Sequence, residues 1–129
     1  MNDRSMRVTL WASVLLNGVG ASLFAFPSSG FAGFLGLPTP ASRLYSTLCA
    51  LFVALFGAVY VWLARRPRID RPLVGFAAIT KAAVFMVFLI FWISGGVTTL
   101  GLAMVVPHLA VAGLFAWWLA RTTTTRRVE

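Results

Sequence analysis

The sequence predicts an all-α protein, an integral membrane bundle of four transmembrane helices with a short interfacial helix between spans one and two. Two observations predict it. Four apolar runs of similar length follow one another along the chain. The basic residues stand at the ends of these runs or between them, except Lys81, which lies inside one. Composition agrees: of 129 residues 60% are hydrophobic and 11% charged, with a mean hydropathy of +0.89. A soluble domain of this size needs a far more polar surface. The length suits a single transmembrane domain over 1–129, with no room for a separate soluble module.

The first span covers about 8–26 and stops at Pro27. The second covers about 44–64 and stops at Arg65-Arg66-Pro67. The third covers about 73–93 and stops at Ser94-Gly95-Gly96, and the fourth covers about 97–120 and stops at Arg121. Each is near the ~20 residues with which a helix crosses the hydrocarbon core. None alternates like a strand, and a helix satisfies its own backbone in lipid. Span one is too long for the core of a cleaved signal peptide and is read as retained.

Arginines orient the bundle. Arg4, Arg7, Arg65, Arg66, Arg68, Arg71, Arg121, Arg126 and Arg127 fall on one side and Arg43 alone on the other, nine against one. Basic loops stay cytoplasmic, so both termini are expected there, in a bacterial inner membrane. This placement also argues against nucleic acid as the reason for the net charge of +8, because the arginines flank apolar runs and form no basic stripe on a soluble face.

The connection from Pro27 to Ser42 is too apolar for a solvated loop, with Phe31, Phe34, Leu35 and Leu37. Ser28 or Ser29 can cap a short helix ending near Gly36, lying on the bilayer or lidding the bundle. An irregular loop packed on the helix ends is the alternative, since glycines weaken a helix. No internal repeat stands out. Thr122 to Thr125 read as a frayed polar tail. The tryptophans, each toward a span end, read as interfacial belts.

Small residues mark helix contacts in membranes. The stripes Ser13-Asn17-Ala21, Ala50-Ala54-Ala58 and His108-Ala112-Ala116-Ala120 are therefore expected to face the interior. Lys81 follows Ala77 and Ala78, but Phe85 and Phe88 share its far side. Asn17 and Lys81 lie roughly 12–15 Å from the arginine-rich edge, and His108 about 16 Å from the opposite edge. Pro107 frees a carbonyl near Ala103 at a similar depth. Asn17, Lys81 and His108 are thus the candidate ligand-binding set, and Lys81 and His108 the candidate catalytic residues. The only acids, Asp3, Asp70 and Glu129, lie outside the spans. Lys81 therefore loses its proton, reaches toward the headgroups, meets an anionic ligand, or meets a carboxylate of a partner subunit.

Several chemistries lack their residues. One histidine and one cysteine, Cys49, make no metal or bis-histidine haem site, and no cofactor is expected. Cys49 itself reads as a small buried hydrophobe. No carboxylate pair, intramembrane triad acid or phosphate-binding glycine loop is present.

Phe26-Pro27, Gly36-Leu37-Pro38, Gly57 with Tyr60, and Arg65 to Pro72 leading to Lys81 come in an order that resembles small four-helix bacterial membrane proteins, broadly DoxX-like in size and topology. Such proteins often carry an acidic or amide residue in the last helix, where this chain has Pro107-His108. The resemblance implies an accessory-subunit role in membrane redox or stress complexes. The leading expectation is a non-catalytic membrane subunit or binding module holding an anionic or lipophilic ligand, or a partner subunit, near Lys81. The alternatives are a small membrane enzyme acting on a lipophilic substrate through Lys81 or His108, and a small-solute transporter working as an oligomer.

The arginine bias is checked in a Cys49→Ala background. Cysteines placed between Arg65 and Arg71 or just after Arg121 should resist impermeant thiol reagents in intact cells, and one at Gly30 should label. Labelling of the Arg65–Arg71 segment from outside would invert the orientation.

Overall fold

In the computed structural model, which describes residues 2–124, five helices follow one another. They are α1 (Asp3–Ala25), α2 (Gly30–Phe34), α3 (Arg43–Arg65), α4 (Arg71–Ile93) and α5 (Thr99–Thr124), with no strand among the described residues. α1, α3, α4 and α5 are each long and apolar enough to cross a membrane.

Local chemistry sets the boundaries. Asn2, Ser29 and Asp70 cap α1, α2 and α4, their side-chain oxygens accepting from Ser5, Ala32 and Leu73 N–H groups. Pro72 stands in the first turn of α4, where its missing N–H costs nothing. α2 and α4 both end in glycines with positive φ, Gly36 at 63° and Gly95 at 78°. Around Gly95, Gly96 N–H donates to Phe91 O at 2.7 Å and Gly95 N–H to Trp92 O at 3.1 Å. These paired bonds close the last turn as a Schellman motif. α5 continues through Pro107 to Thr124, so Thr122 to Thr124 are helical and not frayed, while Thr125 lies outside the described residues, as do Arg126, Arg127 and Glu129.

α1 packs closely on α3, and α4 on α5; the two hairpins meet along α1 and α5. α3 and α4 have no extended backbone contact. Side chains bridge them instead, with the Phe56 and Phe76 rings stacked at 6.0 Å between centroids. The order around the bundle is therefore α1, α3, α4, α5. The diagonals meet at its centre, where Asn17 of α1 reaches Lys81 of α4, and Tyr60 of α3 packs on Phe115 of α5 at 6.3 Å.

The two hairpins repeat one scheme of contacts, although no internal repeat stands out in the sequence. The spacing from Arg7 to Asn17 equals that from Arg71 to Lys81. Arg7 donates to the backbone oxygens of Ala64, Arg66 and Pro67 at the end of α3, and Arg71 donates to Leu119 O and Thr122 Oγ1 at the end of α5. In each hairpin an arginine near the start of the first helix thus donates to groups near the end of the second. The spacing from Tyr60 to Phe115 is repeated from Trp62 to Trp117 and from Arg66 to Arg121. Arg66 stacks on Trp62 at 3.9 Å and Arg121 on Trp117 at 4.7 Å. Residue identities at matching positions mostly differ, so the repeat is visible in contacts before it is visible in letters.

Packing is uneven along the axis. Met6, Leu10, Tyr60, Leu63, Val74, Phe115 and Trp118 form one core toward the arginine-rich end. Trp118 belongs to it, its indole N–H donating to Asp3 at 3.4 Å, so it is no belt residue. Toward the α2 end Ala32 and Leu35 are buried while Phe31 and Phe34 are exposed. α2 is therefore a lid. Thr98 Oγ1 donates to Leu35 O at 2.8 Å and ties it to the start of α5. Cys49 is exposed, so it is not the buried hydrophobe that its apolar run suggests. Ala54, Ala58, Ala116 and Ala120 are also exposed, and Ala21 is half-buried. The small-residue stripes drift off the interior because Phe115 and Trp118 already fill it.

Gly36 tests the lid. A Cβ there would collide with the Thr98 side chain, and the backbone is left-handed. Gly36→Ala should lower stability in detergent by about 1 kcal/mol or more. Gly33→Ala, with open space at its Cβ position, should be neutral or stabilising in the same thermal unfolding assay.

Candidate functional site

Lys81 is only 3% exposed, despite the two phenylalanines beyond it. The interior stripe of α4 runs Val74, Ala77, Lys81, and Phe85 and Phe88 continue it half-buried. The aromatic pair thus extends the inner face toward the lid; it does not turn Lys81 toward lipid.

Lys81 Nζ donates to Asn17 Oδ1 at 2.6 Å, and Asn17 Nδ2 donates to Val53 O at 3.0 Å. Val53 O belongs to a helix and would ordinarily be shielded by the side chain one turn on, since helical side chains lean back over the preceding turn. That residue is Gly57. A Cβ built there would lie 3.5 Å from Asn17 Cβ, so the glycine leaves space in which Asn17 reaches the carbonyl. The amide is thereby fixed with its oxygen toward Lys81.

Tyr60, one turn beyond Gly57, presents its ring to the ammonium, with Lys81 Nζ 5.2 Å from the centroid. At this range the ring quadrupole attracts a cation. The Tyr60 hydroxyl meets the Thr80 side chain, one residue before Lys81. Phe115 packs on the same ring from α5. An ammonium has three N–H donors. Asn17 takes one here and the Tyr60 π face covers another side, leaving hydrogen-bonding capacity.

His108 sits on α5 after Pro107, which denies the Ala103 carbonyl its helical donor. Its Nδ1 is buried and has no hydrogen-bond partner among the described residues. No hydrogen bond joins His108 to Lys81 among the described residues. By the spacing that relates Tyr60 to Phe115, His108 occupies the place on α5 that Val53 holds on α3. The structure thus joins Asn17 and Lys81 directly, and places His108 on α5 at the position that Val53 holds on α3. Among the described residues no group of histidine, cysteine and carboxylates could hold a metal.

Tyr60, Gly57 and the Val53 carbonyl complete the site, and residue chemistry alone did not mark them. The Gly57-x-x-Tyr60 spacing was the available signal, a gap and a ring on one helical face. Two open grooves lie elsewhere, about 520 Å³ near Pro27 to Arg43 and about 700 Å³ along α1 and α2, and neither is lined by Asn17, Lys81 or His108.

The chain matches no family model, no curated protein and no solved structure.

A double-mutant cycle measures the node. Asn17→Leu strands the Lys81 charge and should destabilise the detergent-solubilised protein by about 1–3 kcal/mol. Lys81→Met in that background should recover most of the loss, because removing both polar partners is far cheaper than removing one. Equal, additive losses would show that the contact carries no coupling.

Proposed function

We propose that this protein is a multi-pass membrane binding module that holds an acidic group at Lys81, brought by a lipophilic ligand or a partner subunit. The observation that carries the reading is a buried ammonium with one amide acceptor, an aromatic face and no carboxylate partner among the described residues, Asp3 lying at the far end of α1 against Trp118. A structural lysine at this depth would call for a full set of partners, because a charge there costs about 2.5–3.5 kcal/mol on insertion scales. Lys81 has a partial set, held in place by groups already bonded elsewhere. Preorganisation of this kind favours binding, since the ligand does not have to order the site.

The bacterial inner membrane, cytoplasmic termini and a DoxX-like accessory role are parts of the same proposal. They rest on the arginine bias and on the resemblance described above. The unpartnered His108 Nδ1 favours one competing reading, acid–base chemistry on a lipophilic substrate.

Substitution at Lys81 separates the two. Native mass spectrometry of gently solubilised protein should show an acidic small molecule or a second subunit on wild type. Lys81→Arg should keep it in part, since charge is retained in a broader group. Lys81→Met should lose it while the bundle still inserts. Retention in Lys81→Met would reject the module reading. Equal loss in Arg and Met variants would favour a neutral amine acting in catalysis, since guanidinium stays protonated.

A further inference from the structure

The seam between α3 and α4 gives the Lys81 site an approach from the bilayer. Elsewhere around the bundle neighbouring helices meet along their backbones, but here the Phe56–Phe76 ring pair forms the bridge. Lys81 lies about one turn beyond Phe76 in the direction of the lid. Past that level the facing positions follow by helical periodicity. On α3 they are Phe52 and Cys49, one and two turns from Phe56; on α4 they are Val84 and Val87, one and two turns from Thr80. All four are exposed, Val87 at 52%. The seam is thus open and apolar for most of the way to the α2 end, with a single buried cation at its closed end.

We infer that the seam is the docking site of a single-chain carboxylate amphiphile, a molecule of the fatty-acid class. Its head meets Lys81, and its chain lies between α3 and α4. This rests on the binding-module reading and names its ligand class. Charge sets the head. One ammonium in the spans balances one negative charge, and a phosphomonoester dianion would find no second cation at that depth. Size sets it further. A phospholipid would drag its glycerol esters and phosphate into an apolar seam, whereas a carboxylate is compact and its two oxygens need only two donors. Lys81 supplies the first. His108, whose buried Nδ1 has no partner among the described residues, supplies the second as the tautomer with N–H at Nδ1. Asn17 accepts from Lys81 through its oxygen and donates one N–H to Val53 O, so the amide holds the ammonium in place while the head binds. Length agrees as well. From the level of Phe56 to the start of α3 is roughly 20 Å of helix, room for an extended acyl chain.

The experiment measures radiolabelled palmitate binding to the full chain in nanodiscs, with hexadecanol and a lysophosphatidylglycerol as competitors. Saturable palmitate binding is expected, with hexadecanol at least roughly tenfold weaker because it lacks the charge-assisted bond. The lysolipid should compete no better than hexadecanol. Val87→Trp, which fills the seam from a lipid-facing position, should weaken palmitate roughly tenfold or more while leaving thermal stability unchanged. His108→Phe should weaken it less than Lys81→Met does. No saturable palmitate binding, equal competition by hexadecanol, stronger competition by the lysolipid, or an unaffected Val87→Trp variant would overturn the inference. In those cases a different acidic species found on wild type and lost from Lys81→Met leaves the module reading standing. Palmitate binding undiminished in Lys81→Met would overturn both.

Discussion

A positive charge in mid-span with no carboxylate to meet it is the constraint around which the interior is arranged. Lys81 cannot be left bare in an apolar medium, and no acid of the described spans can pair with it. The bundle answers with dipoles. Asn17 turns its amide oxygen toward the ammonium, Gly57 gives Asn17 room to anchor on the Val53 carbonyl, and Tyr60 offers its ring. Each group belongs to a different turn of α1 or α3, so holding the lysine also sets how those helices sit against α4. The diagonal from Asn17 to Lys81 joins the two hairpins, together with the α1–α5 contact and the ring contacts of Phe56 with Phe76 and of Tyr60 with Phe115.

The two hairpins share a frame and differ at the site. Arg7 and Arg71 close the ends of α3 and α5 in the same way, and Trp62 and Trp117 carry Arg66 and Arg121 in the same way. At mid-depth the halves part. Asn17 in one half is matched by Lys81 in the other, and the Val53 backbone by the His108 ring. The first pair satisfies itself. The second leaves Nδ1 of His108 without a partner among the described residues.

Stability and access are divided along the same axis. The aromatic and aliphatic core lies toward the arginine-rich end, where Trp118, Phe115 and Tyr60 exclude solvent and lipid alike. The other end is closed by a five-residue helix and a threonine hydrogen bond. Regions with few buried apolar contacts open at low cost, so motion is expected at the lid and the α3–α4 seam before the core.

Most of the fold was legible in the sequence, and half of the site. Apolar run lengths and the prolines and arginines that bound them determined the four spans, because lipid admits little besides helices of that length. Composition alone marked Lys81 as a residue requiring an answer. Its partner was another matter. Small residues at helical spacing pointed Asn17 inward correctly but misplaced Ala54, Ala116 and Ala120, because a stripe tells which face is small and not which neighbour fills the space. Phe85 and Phe88 argued against an interior Lys81 for the same reason. Cys49 reads as buried from its apolar run and is exposed only because α3 and α4 stand apart. The repeat of the hairpins, the lid of α2, the carbonyl uncovered by Gly57 and the contact of Asn17 with Lys81 were decided by tertiary structure. Each joins residues far apart in the chain through distance and direction, which local pattern does not encode.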